Sequence, residues 1–168
     1  MSVFFTSDLH FGHRNLVEGL RNSTIEENAK LIIDNWNKTV DKHDLVYILG
    51  DITMESPKLI QQYISKLRGN IYVIGGNHDT RQCCQILNDM HIPVMGCMDY
   101  KGFMVTHVPM SSDEVQHHIG NIHGHVHRFN TTEYFIGKYY NVNCEFHNYT
   151  PVSFDEIVDK FRNPQIIY

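Results

Sequence analysis

The chain has 168 residues, of which 42% are hydrophobic, and this size suits one compact globular domain over residues 1–168. Aromatic residues at 11% and charged residues at 20% exclude a disordered or low-complexity chain. A net charge of -5 and the lack of any Lys/Arg run argue against extended binding of nucleic acid.

The sequence also predicts the cellular location of the protein and the state of its cysteines. No apolar run approaches the roughly 18 residues that a membrane span needs, and the N-terminal segment lacks a basic region and reaches Asp8 too soon for a secretory signal. The four cysteines are too few for a disulfide scaffold, and the adjacent Cys83 and Cys84 are poorly placed to pair. We therefore expect reduced thiols, a cytoplasmic location and no membrane partner; no pattern indicates the oligomeric state.

Three β-prone apolar runs lie in the first half of the chain, at residues 3–6, 45–49 and 71–74. Between the first two, Thr24 and Glu27 form a capping-box pattern that begins a helix. Between the second and third, Pro57 begins an amphipathic segment that ends at Gly69. This alternation of strand and helix predicts parallel strands joined by right-handed crossovers.

The second half has a different pattern. Runs at 94–98 and 103–106 flank a turn at residues 99–102, which predicts a β-hairpin. Further β-prone runs lie at 134–136 and 139–143, and a short helix is expected from Ser153 to about Phe161. We expect an α/β fold with two sheets packed face to face and helices outside.

Histidine is the unusual residue of the composition, at twelve, and it is both the commonest metal ligand and the usual acid or base at neutral pH. Polar residues of this kind follow the predicted strands, where open α/β sheets bind ligands. They are Asp8, His10, Asp51, Asn77, His78, Asp79, His107, His123, His125 and His127.

Taken singly, most of these clusters also have a structural interpretation. Asp8 and His10 are compatible with a strand-to-loop cap, Gly50-Asp51 with a turn, and residues 76–79 with a turn and a helix N-cap at Asp79. Gly124-His125-Val126-His127 is more specific, because two histidines at i and i+2 beside a small residue are a common metal-ligand arrangement. Five such clusters in order at strand ends favour one metal-dependent site.

In this order the clusters resemble the calcineurin-like metallophosphoesterases, whose pattern is Asp-x-His, Gly-Asp, Gly-Asn-His-Asp/Glu, His and Gly-His-x-His. The resemblance covers residues 8–127 and is greatest to short, uncapped members from bacteria and phages, whose first block continues as in residues 11–15 here. It implies a four-layer α-β-β-α sandwich of two mixed sheets flanked by helices.

The resemblance also implies a site with two divalent metal ions. Asp51 is then the bridging carboxylate; Asp8, His10 and His127 complete one ligand set, and Asn77, His107 and His125 the other. These nitrogen and oxygen donors suit Mn²⁺, which we favour, and also Fe, Zn²⁺, Ni²⁺ or Co²⁺. By the same resemblance the nucleophile is a hydroxide shared by the metals, His78 is the general acid, and Asp79 holds the ring of His78.

Four further residues are candidates for binding the substrate. His13, Arg14 and Asn15 come just after the first ligands and offer donors to a phosphate, although Arg14 and Asn15 are equally compatible with a solvated helix start. His123 precedes the last block and is expected either to meet the substrate or to support the ligands.

The resemblance to uncapped members implies hydrolysis of phosphodiesters rather than monoesters. The acidic chain and the lack of a cap favour a small phosphodiester, such as a nucleotide or cyclic nucleotide, over a polymer. The alternatives are a phosphomonoesterase or a nuclease that uses the same site, and a catalytically inactive scaffold of the same fold.

Overall fold

A computed structural model describes residues 1–53, 58–128 and 138–162. In chain order the elements are β1 (Val3–Thr6), α1 (Arg14–Gly19), α2 (Ile25–Thr39), β2 (Leu45–Leu49), α3 (Lys58–Ile64), β3 (Asn70–Ile74), α4 (Arg81–Asp89), β4 (Val94–Met95), β5 (Met98–Tyr100), β6 (Phe103–Val105), α5 (Ser112–Val115), β7 (Gly120–His123), β8 (Tyr139–Asn141), a 3₁₀ helix (Cys144–His147), β9 (Val152–Ser153) and α6 (Phe154–Arg162).

The first sheet has the strand order β4-β3-β2-β1-β9. The strands β1 to β4 are parallel, and β9 joins the other edge of the sheet antiparallel to β1. The predicted parallel alternation of the first half is therefore confirmed. Because parallel strands end at the same edge of a sheet, the loops after β1, β2 and β3 lie side by side.

Helix α2 illustrates how the sequence covers the outer face of this sheet. Thr24 accepts a hydrogen bond from the backbone N–H of Glu27, and the Glu27 carboxylate accepts one from the backbone N–H of Thr24, which confirms the predicted capping box. One face of α2 buries Ile32 and Trp36 completely. These side chains join a hydrophobic cluster with residues of β2 and α3, so burial fixes the helices against the sheet.

The second sheet has the order β5-β6-β7-β8, with β5 antiparallel to β6 and the other pairs parallel. The predicted hairpin exists, but its limits were wrong. Val94–Met95 pairs with β3 in the first sheet, and only β5 pairs with β6. The turn is the two residues Lys101 and Gly102, both with positive φ, which is the geometry of a tight hairpin turn.

The two sheets share a core. Phe5 and Tyr47 of the first sheet stack with ring centroids 5.2 Å apart, and they belong to one cluster with Val105 and Ile122 of the second sheet. Helix α6 closes this cluster through the fully buried Ile157. The fold is thus two mixed sheets flanked by helices, as the resemblance implied.

Some sequence expectations fall outside the described residues, namely the helix start at Pro57 and the strand at 134–136. The N-cap of α4 is Thr80, whose hydroxyl accepts from the backbone N–H of Cys83, and not Asp79. All four cysteines are free thiols. Among the helices that the structure describes, none combines the length and the apolar character needed to cross a bilayer.

Candidate metal centre

The ends of five strands meet at one place. Asp8 follows β1, Asp51 follows β2, and residues 77–79 follow β3, while His107 and His125 follow β6 and β7. Backbone hydrogen bonds join these loops, from Asp8 N–H to the Gly50 carbonyl (3.0 Å) and from Gly124 N–H to the His107 carbonyl (2.9 Å). Between the sheets, the Ser7 N–H donates to the Val142 carbonyl (3.1 Å) and the His125 N–H to Asp8 Oδ2 (2.9 Å), so both sheets contribute to the same site.

The backbone at this site is unusual for the residue types it carries. Asp8, His10, Asp51 and His125 have φ values of 57°, 48°, 55° and 68°, in the left-handed region that side chains other than glycine rarely adopt. Such conformations persist only where the surrounding structure holds them, and they cluster at functional sites. Here they turn the candidate ligands towards one another.

Asp8, His10 and His127 form the first group of candidate ligands, with ligand atoms that all lie within 4.8 Å of one another. Asp8 Oδ2 accepts hydrogen bonds from Ser7 Oγ (2.5 Å) and the backbone N–H of His125 (2.9 Å). Asp8 Oδ1 is buried and has no hydrogen-bond partner among the described residues, although His127 Nε2 lies 3.4 Å away. A cation at this oxygen would satisfy it.

His10 is a second buried candidate ligand whose polar atoms lack hydrogen-bond partners among the described residues. Its side chain is buried, and neither ring nitrogen has a hydrogen-bond partner within the described part of the chain. Nε2 lies 3.9 Å from Asp8 Oδ1 and 3.7 Å from Asp51 Oδ2. Burial lowers the pKa of His10 to about 4, against the opposing effect of these carboxylates, so the ring is a neutral donor at pH 7. A neutral imidazole facing two carboxylates suits a divalent cation.

Asp51, His107 and His125 form the second group, again within 4.8 Å. The Leu49 carbonyl can only accept, so His107 Nδ1 donates to it (2.7 Å), and the lone pair of the neutral ring is on Nε2. That atom faces two oxygens, Asp51 Oδ2 at 3.4 Å and Asn77 Oδ1 at 2.9 Å. In the neutral ring all three atoms are acceptors, an arrangement that suits a cation, and Asn77 Oδ1 lies beside this group.

Asp51 stands between the two groups. Its Oδ1 accepts from the backbone N–H of His78 (3.0 Å), whereas Oδ2 lies 3.7 Å from His10 Nε2 and 3.4 Å from His107 Nε2. Burial would raise the pKa of Asp51, but the hydrogen bond and charge of His107 outweigh it and lower the pKa to about 2. An ionised oxygen shared in this way is where a bridging carboxylate would sit.

Two glycines make room for these carboxylates. A Cβ at Gly76 would lie within 2.5 Å of the Asp51 backbone nitrogen and would contact its side chain. A Cβ at Gly124 would lie 2.5 Å from Asp8 Oδ2. Neither position therefore admits a side chain without displacing a candidate ligand.

His78 lies at the solvent side of both groups. Its side chain is 38% exposed, and Nε2 is 3.9 Å from Asp51 Oδ2. Its ring centroid is 5.8 Å from that of His10. This position leaves the imidazole open to a bound ligand.

Asp79 does not hold the ring of His78 as expected. Its Oδ2 accepts from the backbone N–H groups of Asp51 (2.8 Å) and Gly76 (2.9 Å), and its Oδ1 accepts from that of Ile52 (3.1 Å). Burial raises the pKa of Asp79 against these hydrogen bonds. Its observed contacts join the loops after β2 and β3, so Asp79 supports the candidate bridging residue Asp51 and not the ring of His78.

The four candidate substrate-binding residues differ in their exposure to solvent. His13 is half-buried, with its ring centroid 5.2 Å from that of His10. Arg14 and Asn15 are exposed at the start of α1, where Arg14 pairs with Glu18 at 2.6 Å. His123 is fully buried, so the expectation that it meets the substrate was wrong. Its Nδ1 donates to the Gly124 carbonyl (2.8 Å), and it supports the last ligand block from behind.

Sequence reasoning missed several polar residues of the site. Glu145 Oε2 lies 2.9 Å from His127 Nδ1, and Arg21 pairs with Glu145 at 2.9 Å. Ser7 and Asn143 also contact candidate ligands. None belongs to the five blocks, and a lone Glu or Arg at such a sequence distance gives no signal by spacing.

Comparisons with known proteins identify the family of the chain. The sequence profile of the calcineurin-like phosphoesterases matches residues 1–164. An uncharacterised protein of Methanocaldococcus jannaschii, MJ1445, is 35% identical over 173 residues, which cover 98% of this chain and 94% of that protein. The Gene 66 protein of Mycobacterium phage L5 is 41% identical over 83 residues, which cover 46% of this chain and 40% of the phage protein. The chain therefore belongs to the calcineurin-like phosphoesterases.

Two solved structures share the fold. A protein of unknown function from Aquifex aeolicus, AQ665, aligns with a TM-score of 0.75 and 24% identity over 94% of this chain and 98% of its own. Pseudomonas putida nuclease MPE aligns with a TM-score of 0.51 and 19% identity over 74% of this chain and 60% of its own. At these identities the likeness establishes the fold alone.

Proposed function

We propose that the protein is a two-metal phosphodiesterase that hydrolyses small phosphodiesters, with nucleotides or cyclic nucleotides as the substrate class. The observation that carries the proposal is the pair of ligand groups joined at Asp51 Oδ2, with His78 beside them on the solvent side. This arrangement suits reactions at phosphorus, where both attacking and leaving oxygens need stabilisation.

Two divalent cations held there, with Mn²⁺ the favoured species, would activate water and stabilise the charge on the phosphoryl oxygens. The protein supplies a neutral imidazole donor at His10 and ionised oxygens at Asp8 and Asp51. It also supplies the His107 imidazole, whose pKa burial would lower but Asp51 raises, so that a cation there would replace a proton. Asn77 is exposed beside His107, so its amide is placed between the second group and a bound phosphate.

His78 is the proposed general acid. Its backbone N–H is fixed on Asp51 Oδ1 (3.0 Å), so the loop is anchored while the ring stays partly exposed. An imidazolium at this position can donate its Nε2 proton to the departing alkoxide, or stabilise negative charge there. Asp79 contributes by holding the loops after β2 and β3.

The substrate class is argued from charge and exposure. The chain carries a net charge of -5, so little counterion release is available from a long polyanion. His13 extends the donor surface beyond His10, with Arg14 further out on α1. This surface is matched to one phosphate and its neighbouring group, and extended nucleic-acid binding is not expected.

The test compares kcat/KM in Mn²⁺ for bis-p-nitrophenyl phosphate, p-nitrophenyl phosphate, 2′,3′-cyclic AMP and a labelled oligonucleotide. We expect the small diesters to be preferred, and His78→Ala serves as the matched variant that keeps the ligands. A preference for the oligonucleotide would indicate a nuclease, and a preference for p-nitrophenyl phosphate over every diester would indicate a monoesterase. No hydrolysis of any ester by the metal-loaded protein would indicate a scaffold.

A further inference from the structure

An ion pair lies behind the first ligand group. Arg21 Nε donates to Glu145 Oε1 at 2.9 Å, and the two side chains are only 1% and 12% exposed. Arg21 follows helix α1, whereas Glu145 lies in the 3₁₀ helix near the other end of the chain. A buried pair of this kind is weak evidence for stability, because desolvation offsets the attraction. Its contacts therefore need another explanation.

Glu145 contacts a candidate ligand directly. Its Oε2 lies 2.9 Å from His127 Nδ1, and an ionised carboxylate can only accept, so Nδ1 carries the hydrogen. In the neutral ring, Nε2 then carries the lone pair and faces Asp8 Oδ1 at 3.4 Å. Asn143 Nδ2 also lies 3.1 Å from His127 Nδ1, but it is itself a donor and does not change this assignment.

The local fold places Glu145 for this contact. Asn143 Oδ1 accepts from the backbone N–H of Glu145 (3.0 Å) and so caps the 3₁₀ helix. Asn141 Nδ2 donates to the Val126 carbonyl (3.0 Å), which fixes the backbone next to His127. Both partners of the Glu145–His127 contact are thus anchored independently.

Arg21 reaches the other part of the same group. Its Nη2 donates to the Asp8 carbonyl (2.7 Å), and its Nη1 donates to the Leu9 carbonyl (3.0 Å) and to Asn28 Oδ1 (3.0 Å). Asp8 and His10 are in the left-handed conformation in this segment. Arg21 therefore holds a strained turn at the point where it carries two candidate ligands.

We propose that Arg21 and Glu145 are positioning residues for the first metal ion, acting as one unit on His127 and on the Asp8 turn. Carboxylates that hold a metal-bound histidine in this way orient the ring and fix its tautomer. In the second group a backbone carbonyl, that of Leu49, holds His107 in the corresponding way. The inference rests on the proposed function only in taking both groups to bind metal.

The test measures Mn²⁺ binding by calorimetry, independently of activity. Glu145→Ala should weaken one of the two ions by roughly 10–100-fold and leave the other unchanged. Glu145→Gln keeps an acceptor for His127 Nδ1–H, so it should recover much of the affinity. The matched control is Glu156→Ala, which removes an exposed glutamate of α6 that accepts a hydrogen bond from Tyr140 OH (3.3 Å). It should leave both ions unaffected.

Double mutants assign the weakened ion. In the His127→Ala background, Glu145→Ala should have a much smaller effect on the ion of the first group, because the ring it positions is gone and only the contact through Arg21 remains. In the His125→Ala background it should still weaken that ion by the full factor. Arg21→Ala also removes hydrogen bonds to two carbonyls, so the Glu145 variants carry the test.

Equal weakening of both ions, or an undiminished effect of Glu145→Ala in the His127→Ala background, would overturn the inference. So would wild-type affinities in Glu145→Ala, and so would a failure of Glu145→Gln to recover any affinity. A wild-type protein that binds both ions but hydrolyses no phosphate ester would contradict the proposed function instead, and the same binding series would still decide the role of Glu145.

Discussion

The two ligand groups are supported in different ways. In the second group, His107 is held by the Leu49 carbonyl, and Asp51 accepts from the backbone N–H of His78. In the first group, His127 is held by the Glu145 side chain, which is in turn paired with Arg21. One group thus depends largely on the backbone of the strand ends, and the other depends on side chains from distant parts of the chain.

The two groups should therefore respond differently to substitutions outside the ligands. A backbone carbonyl persists through any substitution that keeps the strand, so the support of His107 follows from the fold. The first group depends on particular residues outside the ligand blocks, so single substitutions can change its metal affinity without changing a ligand. Asp51 faces both groups, so a variant there should remove the distinction in metal affinity.

The largest effect is expected from Asp51→Asn. The change removes the charge shared between His10 and His107, so both ions should be lost together and activity should fall to background. Metal content and hydrolysis of bis-p-nitrophenyl phosphate measure this, with the exposed Asp34→Asn as control. Retention of one tightly bound ion with full activity would contradict a shared carboxylate.

His78→Ala should separate chemistry from metal binding. Because His78 is 38% exposed and is not in either ligand group, metal content should stay near that of the wild type while kcat falls by roughly 10²–10⁴-fold. The loss should be smaller for substrates that release p-nitrophenolate, which needs no proton. Equal losses for good and poor leaving groups would assign charge stabilisation to His78 instead of proton donation.

The regular part of the molecule was readable from the sequence for physical reasons. The strands β1 to β3 are apolar runs that are buried on both faces. Helices with capping residues and one apolar side separate them, so the hydrophobic periodicity and the capping residues indicate the same elements. The hairpin limits were wrong because Val94 and Met98 lie in one apolar run, and only pairing partners reveal that they belong to different sheets. Strands of two or three residues carry too little periodicity to decide this.

The candidate ligands were readable because each follows a strand in a spaced block. The left-handed backbone conformation of these ligands could not be predicted, since aspartate and histidine have no strong preference for that conformation and only the packed site imposes it. The contacts of Asp79 and the burial of His123 depend on which way a loop turns. Arg21 and Glu145 meet across 124 residues, so no local pattern joins them.

Substitutions at Gly124 and Gly76 should have smaller effects on metal binding than the loss of a ligand. Gly124→Ala places a Cβ against Asp8 Oδ2 and should destabilise the protein by about 1–3 kcal/mol. It should weaken the first ion selectively. Gly76→Ala places a Cβ against Asp51 and should have a similar effect on the free energy of unfolding while weakening both ions. Denaturant unfolding and Mn²⁺ calorimetry measure the two effects.

The matched control for both is Gly96→Ala, where a Cβ would meet nothing within 4 Å. It should leave the free energy of unfolding and both metal affinities close to those of the wild type. If Gly124→Ala weakened both ions equally, the loop that carries it would have to support both groups, and the contrast between them would fail.

The smallest effect is a pH dependence of the first group that comes from His127. Burial lowers the pKa of His127, but the neighbouring carboxylates of Asp8 and Glu145 outweigh it and raise the pKa to about 9, whereas that of His10 is lowered to about 4. In the metal-free protein the stabilisation from protonated His127 is therefore complete below its unfolded pKa, about 6.5, and is lost as the pH rises through about 9.

A metal ion must displace that proton, so the affinity of the first group should rise about tenfold per pH unit until the pH reaches the pKa of His127. Calorimetry at pH 7 in two buffers of different ionisation enthalpy counts the protons released. His127→Ala should release about one proton fewer than the wild type, and its metal-free stability should fall less between neutral and alkaline pH. Equal proton release by the two proteins would show that His127 is already neutral, and that its contacts with Asp8 and Glu145 do not hold a charge there.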